Sequence, residues 1–246
     1  MGDKGFKETD SVRISALQPL AQGDITSYAL MAALTRFIPL FLVDDAAETA
    51  IMNLMVNKIA AAHKLPVSGK DAGILATATW DVSKTTVSST LYSVASRLLE
   101  KATVLLTAKY TVDAFSKNYH IGYLLDYACQ ESWVNKYPPV KLRKAIDQTC
   151  DHTDMSPFHR AAMTIFDNLG GLLGELEAFL RSQIIGGKVQ GPAIGASSDK
   201  LPAGTKSVAK KLQAALDLMP PEYFINLRHR LQKELLVLEP SETSIT

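Results

Sequence analysis

Four side chains able to ligate zinc or build a thiol nucleophile lie in one stretch: Cys129, Cys150, His152 and His159. Their order, C-x20-C-x-H-x6-H, separates the ligands far more widely than the short loops that close a tetrahedral zinc site. Both cysteines are therefore expected to act as small buried hydrophobes. Cys150 and His152 are also close enough to suggest a thiol–imidazole pair. That chemistry needs a third group to orient the base and a donor for the oxyanion, and the sequence offers neither. The scattered carboxylates Glu131, Glu175 and Glu177 show no pairing beyond what a solvated helix face would carry. No phosphate loop, dinucleotide fingerprint, zinc-protease motif or nucleophile elbow occurs. "GGLLGELE" and "GPAIG" have glycines but no strand-to-helix context. No catalytic residue, metal or cofactor is assigned, and the expectation is a protein that binds rather than catalyses.

Two short motifs resemble docking signals. Pro220-Pro221-Glu222-Tyr223 matches the PPxY pattern bound by WW domains. Proline is also favoured in the first turn of a helix, where its missing N–H would be unpaired anyway. Phe224, Leu227, Leu231, Leu235 and Leu238 then recur at helical spacing, so helix initiation is the expected role. Leu169-Gly170-Gly171-Leu172-Leu173 fits LxxLL, but two internal glycines favour a broken core helix.

Cationic groups carry the remaining signal. "KYPPVKLRKAI" brings Lys136, Lys141, Arg143 and Lys144 together without an acid, with Trp133 and Tyr137 alongside as stacking surfaces. A second group is Lys200, Lys206, Lys210 and Lys211, and a third is Arg228, His229, Arg230 and Lys233 beside the leucine stripe. Positive charge gathered on one surface is what phosphate binding requires. Lys136, Lys141, Arg143, Lys144, Lys206, Lys210, Lys211, Arg228 and Arg230 are the expected nucleic-acid contacts. Phe224, Leu227, Leu231, Leu235 and Leu238 are the expected self-association face.

Helical spacing dominates the chain, and alternating strand patterns are nearly absent. The spacing predicts an all-α fold of about eight or nine helices. A short helix is expected at 10–20, and another from Asp24 or Thr26 to Val43, bent at Pro39. "DDAAETAIMNLMVNKIAAAHKL" follows, acidic at its start and stopped by Pro66. The Ala/Ser/Thr-rich stretch 71–118 is mostly helical, with "KTTVSST" as a weak point where a strand is the alternative. Further helices are expected at 121–136, at 139–150 and from the Ser156 cap, with a break at Gly170-Gly171. Residues 1–185 read as a helical body (one lobe or two), 186–206 as a flexible loop, 207–240 as a C-terminal helical hairpin or arm, and 241–246 as a polar tail.

Bulk composition bounds these readings. The 246 residues are 47% hydrophobic and 21% charged, with a net charge of +1, as in an ordinary globular protein. Nucleic-acid binding must then rest on local patches. Two cysteines do not make a disulfide framework, which points to a reducing compartment. "MGDKGFKETDSVRIS" is too polar for a secretory signal. "YALMAALTRFIPLFLV" is short for a membrane span and holds Arg36 and Pro39. An intracellular, cytoplasmic location follows, or a virion if the source is viral. An all-helical body with discrete basic faces, a loop and a terminal helix is similar in architecture to the helical nucleoproteins and coat proteins of RNA viruses. That resemblance implies a homo-oligomer that packages RNA through exchanged arms. The alternative is a scaffold or matrix-like protein that engages a partner through its amphipathic last helix. An enzyme with an unrecognised site ranks below both.

Overall fold

Helix starts and stops fall where capping chemistry puts them. The structure, a computed structural model, describes residues 17–35, 44–77, 100–166 and 203–238. Among these the helices are α1 Gln22–Thr35, α2 Asp44–Ala62, α3 Gly69–Ala76, α4 Glu100–Gln130 and α5 Trp133–Lys136. They are followed by α6 Pro139–Asp151, α7 Ser156–Phe166, α8 Ala203–Leu216 and α9 Pro221–Val237. No strand occurs among the described residues, and the fold is all-α. The expected bend at Pro39, the "KTTVSST" stretch, the Gly170-Gly171 break and most of the 186–206 loop lie outside the described residues.

Local geometry explains several ends. α2 closes with Lys64 in the left-handed region (φ 55°). The Leu65 N–H then reaches Ala60 O at 2.9 Å, and the Lys64 N–H reaches Ala61 O at 3.0 Å. These two bonds satisfy carbonyls that the helix end leaves over. Ser68 caps α3 by accepting the Asp71 N–H at 3.1 Å. At α7 the first-turn N–H of Ser156 goes to the Asp154 carboxylate at 2.9 Å, so Asp154 supplies the capping oxygen expected of Ser156. α8 begins at Ala203, within the segment expected to be loop. The buried side of that helix is Thr205, Ala209, Leu212 and Leu216, a helical spacing that already starts at Thr205.

The core is organised around α4. It packs on α1, α2, α5, α6, α7 and α9, while α8 lies across α1 and α7, and α3 bridges α2 and α6. An expected break between residues 118 and 121 does not exist, and α4 runs unbroken to Gln130. Asn118, His120 and Gly122 are weak helix formers, but tertiary contacts outweigh that preference. Asn118 and His120 are buried and hydrogen-bonded to neighbouring helices. Gly122 permits close approach: a Cβ there would stand 2.8 Å from Ile25 Cγ2 and 3.0 Å from Met55 Sδ. α1 is buried along Ile25–Thr35, with the Ser27 and Thr35 hydroxyls satisfied by Gly23 O at 2.8 Å and Ala32 O at 2.7 Å.

Gly122→Ala therefore sets a helix-propensity gain of about 1 kcal/mol against an overpacking cost of about 1–3 kcal/mol. Ile25 is β-branched and cannot swing its methyl away. Urea denaturation is expected to show a net loss, with the midpoint lowered and the slope unchanged.

Candidate nucleic-acid interface

The corner between α5 and α6 is shaped by consecutive prolines. A residue preceding proline is pushed to extended backbone. Tyr137 sits at φ −109°, ψ 143°, and Pro138 at φ −55°, ψ 139°. Pro139 then opens α6, whose first turn carries no acid. Two ammonium groups gather on the Tyr137 ring. Lys136 Nζ and Lys141 Nζ each lie 4.8 Å from its centroid, and Lys136 Nζ also donates to Tyr137 Oη at 3.0 Å. Lys144 is exposed one turn further along α6. Trp133 is half-buried, edge-on to Tyr127 at 5.3 Å and to Tyr137 at 6.5 Å. Tyr137 thus positions lysines, the role its aromatic face fills in place of the expected stacking on bases.

Other expected contacts are placed differently. Arg143 is 1% exposed. Its Nε lies 3.1 Å from both Asp147 oxygens, and Nη1 donates to Leu75 O at the end of α3. Its charge is committed inside the fold, and it is withdrawn as a phosphate contact. The Arg-x3-Asp spacing, one helical turn, was the readable signal. Arg228 is likewise turned inward, and its expected phosphate role is corrected. Its Nε donates to Tyr123 Oη at 2.8 Å, Nη2 donates to Leu17 O at 3.0 Å, and its guanidinium lies 4.5 Å from the Tyr127 ring centre. Arg230 is half-buried. Lys206, Lys210 and Lys211 are exposed on α8. That helix packs on α1 and α7, whereas α6 packs on α3, α4, α5 and α9. The two lysine groups thus ride on helices with different packing partners.

The expected self-association stripe lies against the chain's own body. Leu227, Leu231 and Leu235 are buried, and Phe224 and Leu238 half-buried, because α9 lies on α6 and α4 of its own chain. Its outward face shows Ile225, Leu236 and Val237 instead. Tyr223 belongs to the first turn of α9, and its hydroxyl lies 2.6 Å from His120 Nε2. Binding an extended PPxY ligand would break both that helix turn and that bond.

The thiol and imidazole groups give no reactive pair. Cys129 and Cys150 are free and buried. Burial pushes both thiols up to about 12, so neither supplies thiolate near neutral pH. His152 pairs with Glu234 at 3.3 Å and His159 approaches Asp113 at 3.6 Å. No cluster of three metal-ligating side chains occurs among the described residues, and none of the described helices is long and apolar enough to cross a membrane. Comparison of the chain with protein-family models, curated proteins and solved structures finds no match.

Sequence reading missed several buried polar pairs, His120 with Tyr223 among them. His120 Nδ1–H donates to Ser116 O at 2.6 Å, which leaves Nε2 to accept the Tyr223 hydroxyl. The Phe158 ring lies 4.7 Å away. Burial holds the His120 imidazole down to about 4, against a usual value near 6.5. The unfolded chain then binds a proton before the native one does. Stability from this site is fully present above about pH 6.5 and declines as pH falls towards 4, by about 3 kcal/mol in all. Urea midpoints between pH 7 and 4 are expected to fall steeply for the native chain. They are expected to fall less for His120→Gln, which carries no such proton.

Proposed function

We propose that this protein is a non-enzymatic RNA-binding protein that grips the phosphate backbone at the α5–α6 corner. One observation carries the reading: the convergence of Lys136 and Lys141 on one tyrosine ring. Each ammonium is 4.8 Å from the ring centre, which puts the two within about 10 Å of each other, the Debye length at 0.1 M salt. Lys144 adds a third charge, and the first turn of α6 supplies no carboxylate to neutralise them. Gathered like charges favour the arrival of a polyanion, and neutralised phosphates release counterions. Lys206, Lys210 and Lys211 on α8 form a second, separate contact group.

This reading is narrower than packaging. The α9 leucines pack on the chain's own body, so this reading does not call on an exchanged arm. With the Tyr137 face taken up by lysines, binding depends on backbone charge rather than on base identity.

Fluorescence anisotropy with a labelled single-stranded RNA tests it. Binding should weaken steeply with salt. Replacing Lys136, Lys141 and Lys144 by alanine should lower the slope of log K against log salt by roughly 2, since each lost phosphate contact contributes about 0.7 for a single strand. Lys210→Ala with Lys211→Ala should give a smaller loss. A chain that ignores RNA at low salt, or a triple variant that binds like the native protein, defeats the reading.

A further inference from the structure

The face of α9 turned away from the body joins exposed apolar side chains to two charges of opposite sign. Of the seven large hydrophobics exposed among the described residues, three lie on this helix: Ile225, Leu236 at 65% and Val237 at 70%. Glu222, His229 and Lys233 are exposed with them. At 3.6 residues per turn, Ile225 and Leu236 lie to one side of His229, about 40° and 20° round the helix. Glu222 and Lys233 lie to its other side, by about 20° and 40°. The buried Leu227, Leu231 and Leu235 occupy the far side of the helix. The outward face thus has an apolar flank and a charged flank, with His229 between them.

The two charges do not meet within one chain. Glu222 belongs to the first turn of α9, and Lys233 stands about 16 Å further along the axis. Neither has an ion-pair partner among the described residues. An acid near one end and a base towards the other make the face complementary to itself when a second copy is turned end over end. In a helix pair related by a two-fold axis, each flank meets the same flank of the second copy. With the axis close to His229, Glu222 comes within about one turn of the second copy's Lys233, and Ile225 within about one turn of its Leu236. Each contact forms twice. Parallel alignment would instead set Glu222 against Glu222 and Lys233 against Lys233, so charge selects the antiparallel arrangement.

We propose that two copies of this chain associate through the outward faces of α9, antiparallel about a two-fold axis near His229. The contact uses the opposite side of the helix from the leucines that hold α9 to its own body, so neither copy has to unfold. One helix pair covers less than the roughly 800 Å² per partner of a standard interface, and the dimer forms at high protein concentration. The inference does not rest on the lysine corner of α5 and α6.

Sedimentation equilibrium of the nuclease-treated full chain, from about 1 to about 500 μM at about 0.1 M salt, tests the proposal. The mass should rise from monomer towards dimer across that range. Glu222→Lys and Lys233→Glu each set like charges together twice, and each should weaken association at least roughly tenfold. Mixed in equal amounts, these two variants should associate about as tightly as the native chain, because each then meets opposite charges on the other. Leu236→Ser, at an exposed position, should weaken association and leave the thermal midpoint of the dilute protein unchanged. The variant lacking Lys136, Lys141 and Lys144 should dimerise like the native chain, which separates this contact from RNA binding. A native chain that stays monomeric throughout overturns the proposal. So do single charge variants or a Leu236→Ser variant that associate like the native chain, or a mixture that does not recover.

Discussion

A single buried carboxylate fixes how the first helices meet α4. Asp126 is 2% exposed and accepts the N–H groups of Leu20 and Ala21 at 3.1 and 3.2 Å and the His63 Nε2–H at 3.0 Å. Taking a carboxylate out of water costs several kcal/mol unless donors replace the lost solvation, and three donors from two other elements do so here. Two of them lie at the start of α1, where the helix dipole favours negative charge. The third follows the end of α2. Moving either helix would strip the carboxylate of partners, so Asp126 acts as a shared anchor for both. The close crossing at Gly122 then follows, since α1 and α2 present Ile25 and Met55 to the same turn of α4.

The same requirement on α4 explains why α9 is part of the body. His120, Tyr123 and Tyr127 are buried polar groups that need partners. They find Tyr223, Arg228 and Gln232 on α9 at 2.6, 2.8 and 2.8 Å. Three hydrogen bonds along one helix, together with the buried Leu227, Leu231 and Leu235, hold α9 against the body. The same contacts keep the buried α9 leucines against α6 and α4.

Cations are sorted by chemistry as well as by position. Arg143 lies inside, and Arg228 is half-buried against two tyrosines. Lys144, Lys206, Lys210 and Lys211 remain exposed. Guanidinium is planar and weakly hydrated, so it enters buried pairs and stacks on rings more readily than ammonium. Of the cations in the three expected groups, the fully exposed ones among the described residues are lysines and His229.

Much of the fold was legible in the sequence. Helical spacing and prolines located α2, α6 and α9 nearly to the residue, because the 3.6-residue period and the missing proline N–H act locally. The Lys136–Lys144 group was also readable, since its members are near neighbours and the two prolines dictate the backbone between them. The unbroken course of α4 was hidden because His120 and Gly122 look like interruptions until their partners on other helices are known. Asp126 and His63, 63 residues apart, gave no local signal, and neither did the meeting of residues 17–22 with 216–224. The sequence by itself determined which segments coil and which turns carry charge. Only the tertiary structure decided which charges and apolar stripes stay outside, because burial depends on partners that arrive from distant parts of the chain.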